Sequence, residues 1–168
     1  MKRSGPSLAL ALAIACTSWG CGGQGDTELE IVFDPCTTQV AAAAGSSASE
    51  VASIDRALSL WNEAAELELE RVGAPPSDTV LEVSFVPSIA ALRGVYDDEA
   101  GAIMVNRAIE GEEQRALTIA HELGHAFGLL HVSPDERASL MNPGNPEVTP
   151  TPEDVGALLD LWGRCPAE

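Results

Sequence analysis

HELGHAFGLLH, residues His121–His131, contains all three histidines of this 168-residue chain. Four residues advance an α-helix by about one turn, so His121 and His125 project from one face about 6 Å apart. Two imidazoles at that separation can close on one metal ion with bonds of roughly 2.0–2.1 Å. In a continuing helix His131 would lie about 9 Å further along the axis than His125, and off that face. The helix must therefore break before His131. Gly128 stands where the break is needed, because glycine takes the left-handed conformation that ends helices without a Cβ penalty. Three neutral nitrogens with a fourth position open is the pattern of a catalytic zinc, whereas structural zinc sites are usually closed by four protein ligands.

Glu122 adds a second chemistry. It points about 100° around the helix from His121, so it need not bind the metal. Zinc lowers the pKa of a water in its open position towards about 7, and a nearby carboxylate can take the proton as that water attacks a carbonyl. A histidine cluster that only scavenges metal would need neither Glu122 nor Gly128.

The eleven-residue pattern His121-Glu122-x-x-His125-x-x-Gly128-x-x-His131 resembles the long zinc signature of the metzincin metallopeptidases. Ser139-Leu140-Met141-Asn142-Pro143, ten residues on, looks like the Met-turn of that family, in which the methionine forms a hydrophobic floor beneath the ligands. The short gap and the proline after Met141 look most like the matrixin branch, although Val132 follows His131 where matrixins usually carry serine. Taken alone, Met141 reads as an ordinary core methionine.

The N-terminus carries a different message. Lys2 and Arg3 precede an apolar run, Leu8–Ala15, too short to span a bilayer, which reads as an export signal over residues 1–20. Small residues before Cys16 and Cys21 resemble the lipobox of bacterial lipoproteins. If Cys21 is lipidated, residues 21–28 form a tether, and Cys36 and Cys165 are left to pair as a disulfide flanking the folded region. If Cys16 is used, Cys21 is an odd thiol. Cys36 offers a further alternative as a cap on the zinc. The chain has 26 acidic residues against nine basic ones, two of which lie in the signal. This excess disfavours nucleic acid and anionic membrane surfaces as partners and suits an exported monomer.

Residues 29–168 read as one α+β domain. Leu29–Phe33 is expected as a first strand, stopped by Asp34-Pro35, with the Ala/Gly/Ser run from Ala41 to Ser49 as a loop. Ser47 and Glu50 make a capping box for a helix whose buried stripe is Val51, Ile54, Leu58 and Trp61. Alternation predicts strands at Glu66–Val72, Leu81–Phe85 and Ala102–Asn106, with a loop or hairpin at Gly94–Gly101. Glu112–Phe127 is the histidine helix. Thr151, Pro152 and Asp154 open a last helix with an apolar face of Val155, Leu158, Leu159 and Trp162.

This order resembles the metzincin fold: a small twisted mixed sheet with helices, an active-site helix, a Met-turn and a short C-terminal subdomain. The resemblance implies an exported metalloendopeptidase, envelope-bound or secreted, with one zinc on His121, His125 and His131 and with Glu122 as its acid-base residue. It implies that a protein or peptide substrate lies along an edge strand at Ile103, Met104, Val105 and Asn106, adding a strand through backbone hydrogen bonds. Asp97, Asp98 and Glu99 would hold calcium, as matrixin loops do, or form a solvated acidic turn. The alternative function is a non-catalytic zinc-binding lipoprotein that acts as an interaction module.

Overall fold

The computed structural model describes residues 32–73, 76–87, 92–144 and 146–166. The export signal, Cys21, the tether and Leu29–Ile31 lie outside the described residues. The elements are β1 (Gln39–Ala42), α1 (Ala48–Ala65), β2 (Glu70–Val72), β3 (Val80–Val86), β4 (Gly94–Asp97), β5 (Ala102–Asn106), α2 (Glu112–Ala126) and α3 (Pro152–Trp162). The strands form one sheet in the order β2-β1-β3-β5-β4. The β1–β2, β1–β3 and β3–β5 pairs are parallel, and β4 runs antiparallel to β5. The expected α+β class with a mixed sheet is therefore present.

Packing follows from period. Leu81, Val83 and Phe85 of β3, with Ile103 and Val105 of β5, are buried, while Glu82, Ser84, Val86, Ala102, Met104 and Asn106 are partly exposed. That alternation is the signature of strands with one well-covered face. On α1, Ile54, Leu58 and Trp61 are buried as their spacing predicts, Val51 of the expected stripe is only partly buried, and the Ser47–Glu50 capping box is formed. Trp61 donates from Nε1 to the carbonyl of Ala120 on α2 at 2.9 Å and meets Phe127 edge-on, with ring centroids 6.1 Å apart. The two helices are thus keyed together behind the sheet.

Three strand expectations need correction. Val32 and Phe33 are not in a strand: Phe33 is buried and donates its N–H to Ala126 at the end of α2. Among the described residues the first strand begins only after the turn in which the Asp34 carbonyl accepts from Thr37 and Thr38. It includes Ala41 and Ala42, which composition assigns to a loop; burial between β2 and β3 outweighs alanine's weak strand preference. Finally, α1 runs to Ala65 and the chain reverses through Glu66 at φ 55°, so the strand expected from Glu66 starts at Glu70. Leu67 and Leu69 are buried without a ladder there, because the Asn62 side chain bonds both the N–H and the carbonyl of Leu69 at 2.9 Å.

A fourth correction bears on function. Ile103, Met104, Val105 and Asn106 do not lie on an edge strand, since β5 is paired with β3 on one side and β4 on the other. The edge strand beside them is β4. A hairpin register cannot say which of its two strands docks on the sheet; long-range pairing with β3 decides it. Cys36 and Cys165 form a disulfide across 129 residues, with Cα atoms 5.3 Å apart, so Cys36 is no zinc cap. It ties the turn before β1 to the segment after α3.

Candidate active site

The site is built on the C-terminal half of α2. Its first turn carries Glu112 and Glu113, which complement the helix dipole. From Ala116 to Ala126 almost every residue is buried, so the helix runs through the core. It ends as the sequence predicts. Gly128 has φ +90°, its N–H reaches the His125 carbonyl, and the Leu129 N–H reaches the Gly124 carbonyl, both at 2.9 Å. This is the Schellman pair of helix-terminating bonds, which needs a left-handed residue at Gly128.

The reversal returns His131 to the helix face. Its Nε2 lies 3.3 Å from His121 Nε2 and 3.1 Å from His125 Nε2. Two nitrogens bound tetrahedrally at roughly 2.0–2.1 Å from one zinc would be about 3.3 Å apart, so the spacing fits a shared ion. The far sides of two rings are fixed: His121 Nδ1 donates to the Leu140 carbonyl at 2.6 Å, and His125 Nδ1 to the Leu129 carbonyl at 2.8 Å. Each bond places the proton on Nδ1 and leaves the Nε2 lone pair facing the centre. Burial, the largest influence on all three rings, disfavours their charged form and pushes His125 down to about 3, with His121 and His131 adding to that fall. Neutral, inward-facing imidazoles suit a divalent cation. Among the described residues they are the one group of three or more such side chains gathered to hold a metal; Asp97, Asp98 and Glu99 do not converge, and Asp97 accepts from the Ala100 N–H at 3.0 Å.

Glu122, next to His121 on α2, turns its carboxylate towards the sheet. Its Oε2 accepts from the backbone N–H of Tyr96 on β4 at 2.9 Å. Burial raises its pKa to about 7 against the opposing pull of that bond. Gly94 makes room for it, since a Cβ there would stand 2.8 Å from both Glu122 Oε1 and Thr118 Cγ2. The carboxylate is thus clamped between α2 and the edge strand in a state poised to take or give a proton near neutral pH.

Met141 is 1 % exposed and lies against Gly124, where an added Cβ would run into its Sδ. The turn is tied to the His131 loop by the bond from Val132 N–H to the Met141 carbonyl at 3.0 Å. The Asn142 amide donates to the carbonyls of Val132 and Arg137 and accepts from the Ser139 N–H. Sequence reasoning found His121, Glu122, His125, Gly128, His131 and Met141, and the structure brings them together. It missed Gly94 and Gly124, and read Asn142 only as part of the Met-turn, not as the amide that ties the turn to the His131 loop. Gly124 carries a signal, a glycine inside a helix; Gly94 carries none without its neighbours in space.

No curated protein matches the chain. Residues 24–147 match the family described as metallo-peptidase family M12B, reprolysin-like. That match names the reprolysin-like group and not the matrixin branch expected from the Met-turn and Pro143. It runs through more than half of the chain and includes the three histidines, Glu122 and Met141. A donor set spaced for one metal ion is what such a family needs, and on that match the chain belongs to the M12B reprolysin-like metallopeptidases.

Proposed function

We propose that the protein is a zinc-dependent endopeptidase that hydrolyses peptide bonds of extracellular or envelope proteins. The observation that carries this reading is the meeting of three Nε2 atoms, with that of His131 3.1 and 3.3 Å from the two on α2, beside the buried carboxylate that follows His121. His121, His125 and His131 would hold a zinc ion there, which would supply a Lewis acid and lower the pKa of a water towards neutrality. Glu122 accepts the proton of the attacking water and delivers it to the leaving amine. The Tyr96 N–H and the packing of Gly94 hold its carboxylate still for that task.

Substrate lies extended along the outer edge of β4, the edge strand beside Glu122, in place of the β5 position expected from sequence. Backbone pairing on that edge would bring a scissile bond to the carboxylate without demanding a particular side chain. The export signal and the lipobox-like cysteines support a place in the bacterial envelope through Cys21, or secretion, with the chain a monomer. Purified full-length protein should cleave an unfolded generic protein, stop on chelation and resume with added zinc. Zinc uptake with no cleavage of any protein substrate would instead favour a binding module.

A further inference from the structure

The carboxylate of Asp154 is fully buried and accepts hydrogen bonds from several parts of the chain. Thr151 N–H, at 3.0 Å, completes the capping box of α3. Arg137 Nη1 donates at 2.9 Å, Leu140 N–H at 2.9 Å, and the Ser139 hydroxyl also donates to it. The Ser139 oxygen in turn accepts the Met141 N–H at 2.9 Å. That N–H belongs to the peptide whose carbonyl, on Leu140, accepts from His121 Nδ1. A helix cap needs only the first of these bonds. The Ser139 bond joins a buried charge to a histidine of the metal group through one hydroxyl and one peptide.

We propose that Asp154 is a positioning residue for the metal, acting on His121 through Ser139 and the Leu140–Met141 peptide. Each bond in such a chain polarises the next. A carbonyl whose own peptide N–H is engaged accepts more strongly, which fixes the His121 ring and makes its Nε2 a better donor. Direct carboxylate–histidine contacts act on metal affinity in this way; here the contact is relayed. His125 has a different support, the Leu129 carbonyl at the helix exit.

The inference rests on the reading of the three histidines as a zinc site, and its test separates the two. Zinc affinity of the full chain is measured by competitive chelator titration in the parent, Ser139→Ala, Asp154→Asn and Thr151→Ala. Ser139→Ala cuts the relay but leaves the charge and the cap. Thr151→Ala removes the cap hydroxyl, which accepts from Asp154 N–H at 3.2 Å, and leaves the relay. Ser139→Ala and Asp154→Asn should each weaken zinc roughly tenfold or more, while Thr151→Ala changes it less than about twofold. The ¹⁵N shift of His121 Nδ1 in metal-free protein should move in Ser139→Ala and stay in Thr151→Ala. Where Asp154→Asn does not fold, Ser139→Ala decides alone. A parent that binds zinc beside a Ser139→Ala that binds it within about twofold overturns the relay alone, as does an equal loss in Thr151→Ala. A parent that takes up no zinc overturns both.

Discussion

The two sides of α2 are held in place by different means. On the sheet side, Glu122 rests against β4, a strand fixed by its ladder to β5 and by an apolar core behind it. On the other side, the described residues between Phe127 and Thr151 form neither helix nor strand, yet they carry His131 and Met141. That loop is held by side chains with several bonds each, Ser139, Asn142 and Asp154. A ladder spreads support over many backbone groups, whereas a loop concentrates it in a few polar atoms that must stay satisfied once buried. Under the proposed function the sheet side governs the proton and the loop side governs the metal. The same helix therefore offers substitutions that separate the two.

The largest expected effect comes from the covalent link between the turn before β1 and the segment after α3. Replacing Cys36 and Cys165 by serine opens a loop of 129 residues and should lower stability by about 2–5 kcal/mol. Chemical denaturation of oxidised parent and variant measures it. Two free thiols in exported protein would remove the link from the comparison altogether.

Glu122→Gln tests the sheet side. Glutamine keeps the size and can still accept from Tyr96 N–H, but it cannot take a proton. Turnover should fall roughly 10²-fold or more, about 2.7 kcal/mol, with zinc affinity near the parent value. Near-normal turnover with zinc bound would take Glu122 out of the reaction.

Gly124→Ala tests the loop side from within the helix. Its Cβ would run into Met141 Sδ in a packed core, so a loss of about 1–3 kcal/mol is expected where alanine would ordinarily strengthen a helix. Zinc affinity should fall with it, and a gain in melting temperature would show that Met141 yields freely. Its counterpart on the sheet side is Gly94→Ala, which pushes on Glu122 and Thr118. Steady-state kinetics should show turnover down roughly tenfold with zinc affinity held. A loss of zinc there would mean that the two sides are not separable.

Gly128→Ala should give the smallest effect. An added Cβ meets only Leu161 and Val32, each at 3.6 Å, so the expected loss of about 1 kcal/mol is backbone strain at φ +90°. Zinc should weaken about fivefold, and further in Gly128→Val, as His131 is displaced. X-ray absorption on Gly128→Val should count two histidine nitrogens; three would break the helix-exit account.

Residues 121–131 were legible because their information is local. The i, i+4 spacing sets two rings on one face, and a glycine at the third following position sets the exit, whatever surrounds them. The capping boxes at Ser47 and Thr151 are local in the same sense, and both are formed. Val32-Phe33 and Glu66–Leu69 misled because β-forming composition and alternation report burial, and the burial of Phe33 and Leu69 was met without a ladder, with Ala126 for Phe33 and Asn62 for Leu69 taking the backbone bonds.

The chemistry of the site was thus determined by the sequence alone: a three-nitrogen donor set, an adjacent carboxylate, a forced helix exit and a methionine turn. Only the tertiary structure decided that β4 and not β5 is the edge, that Gly94 must be bare beside Glu122, and that Asp154 reaches past its own helix to the Met-turn. The physical reason is range. Helix spacing and caps act within a few residues, while edge pairing, close approach and a buried carboxylate's partners depend on which distant segments the core brings together.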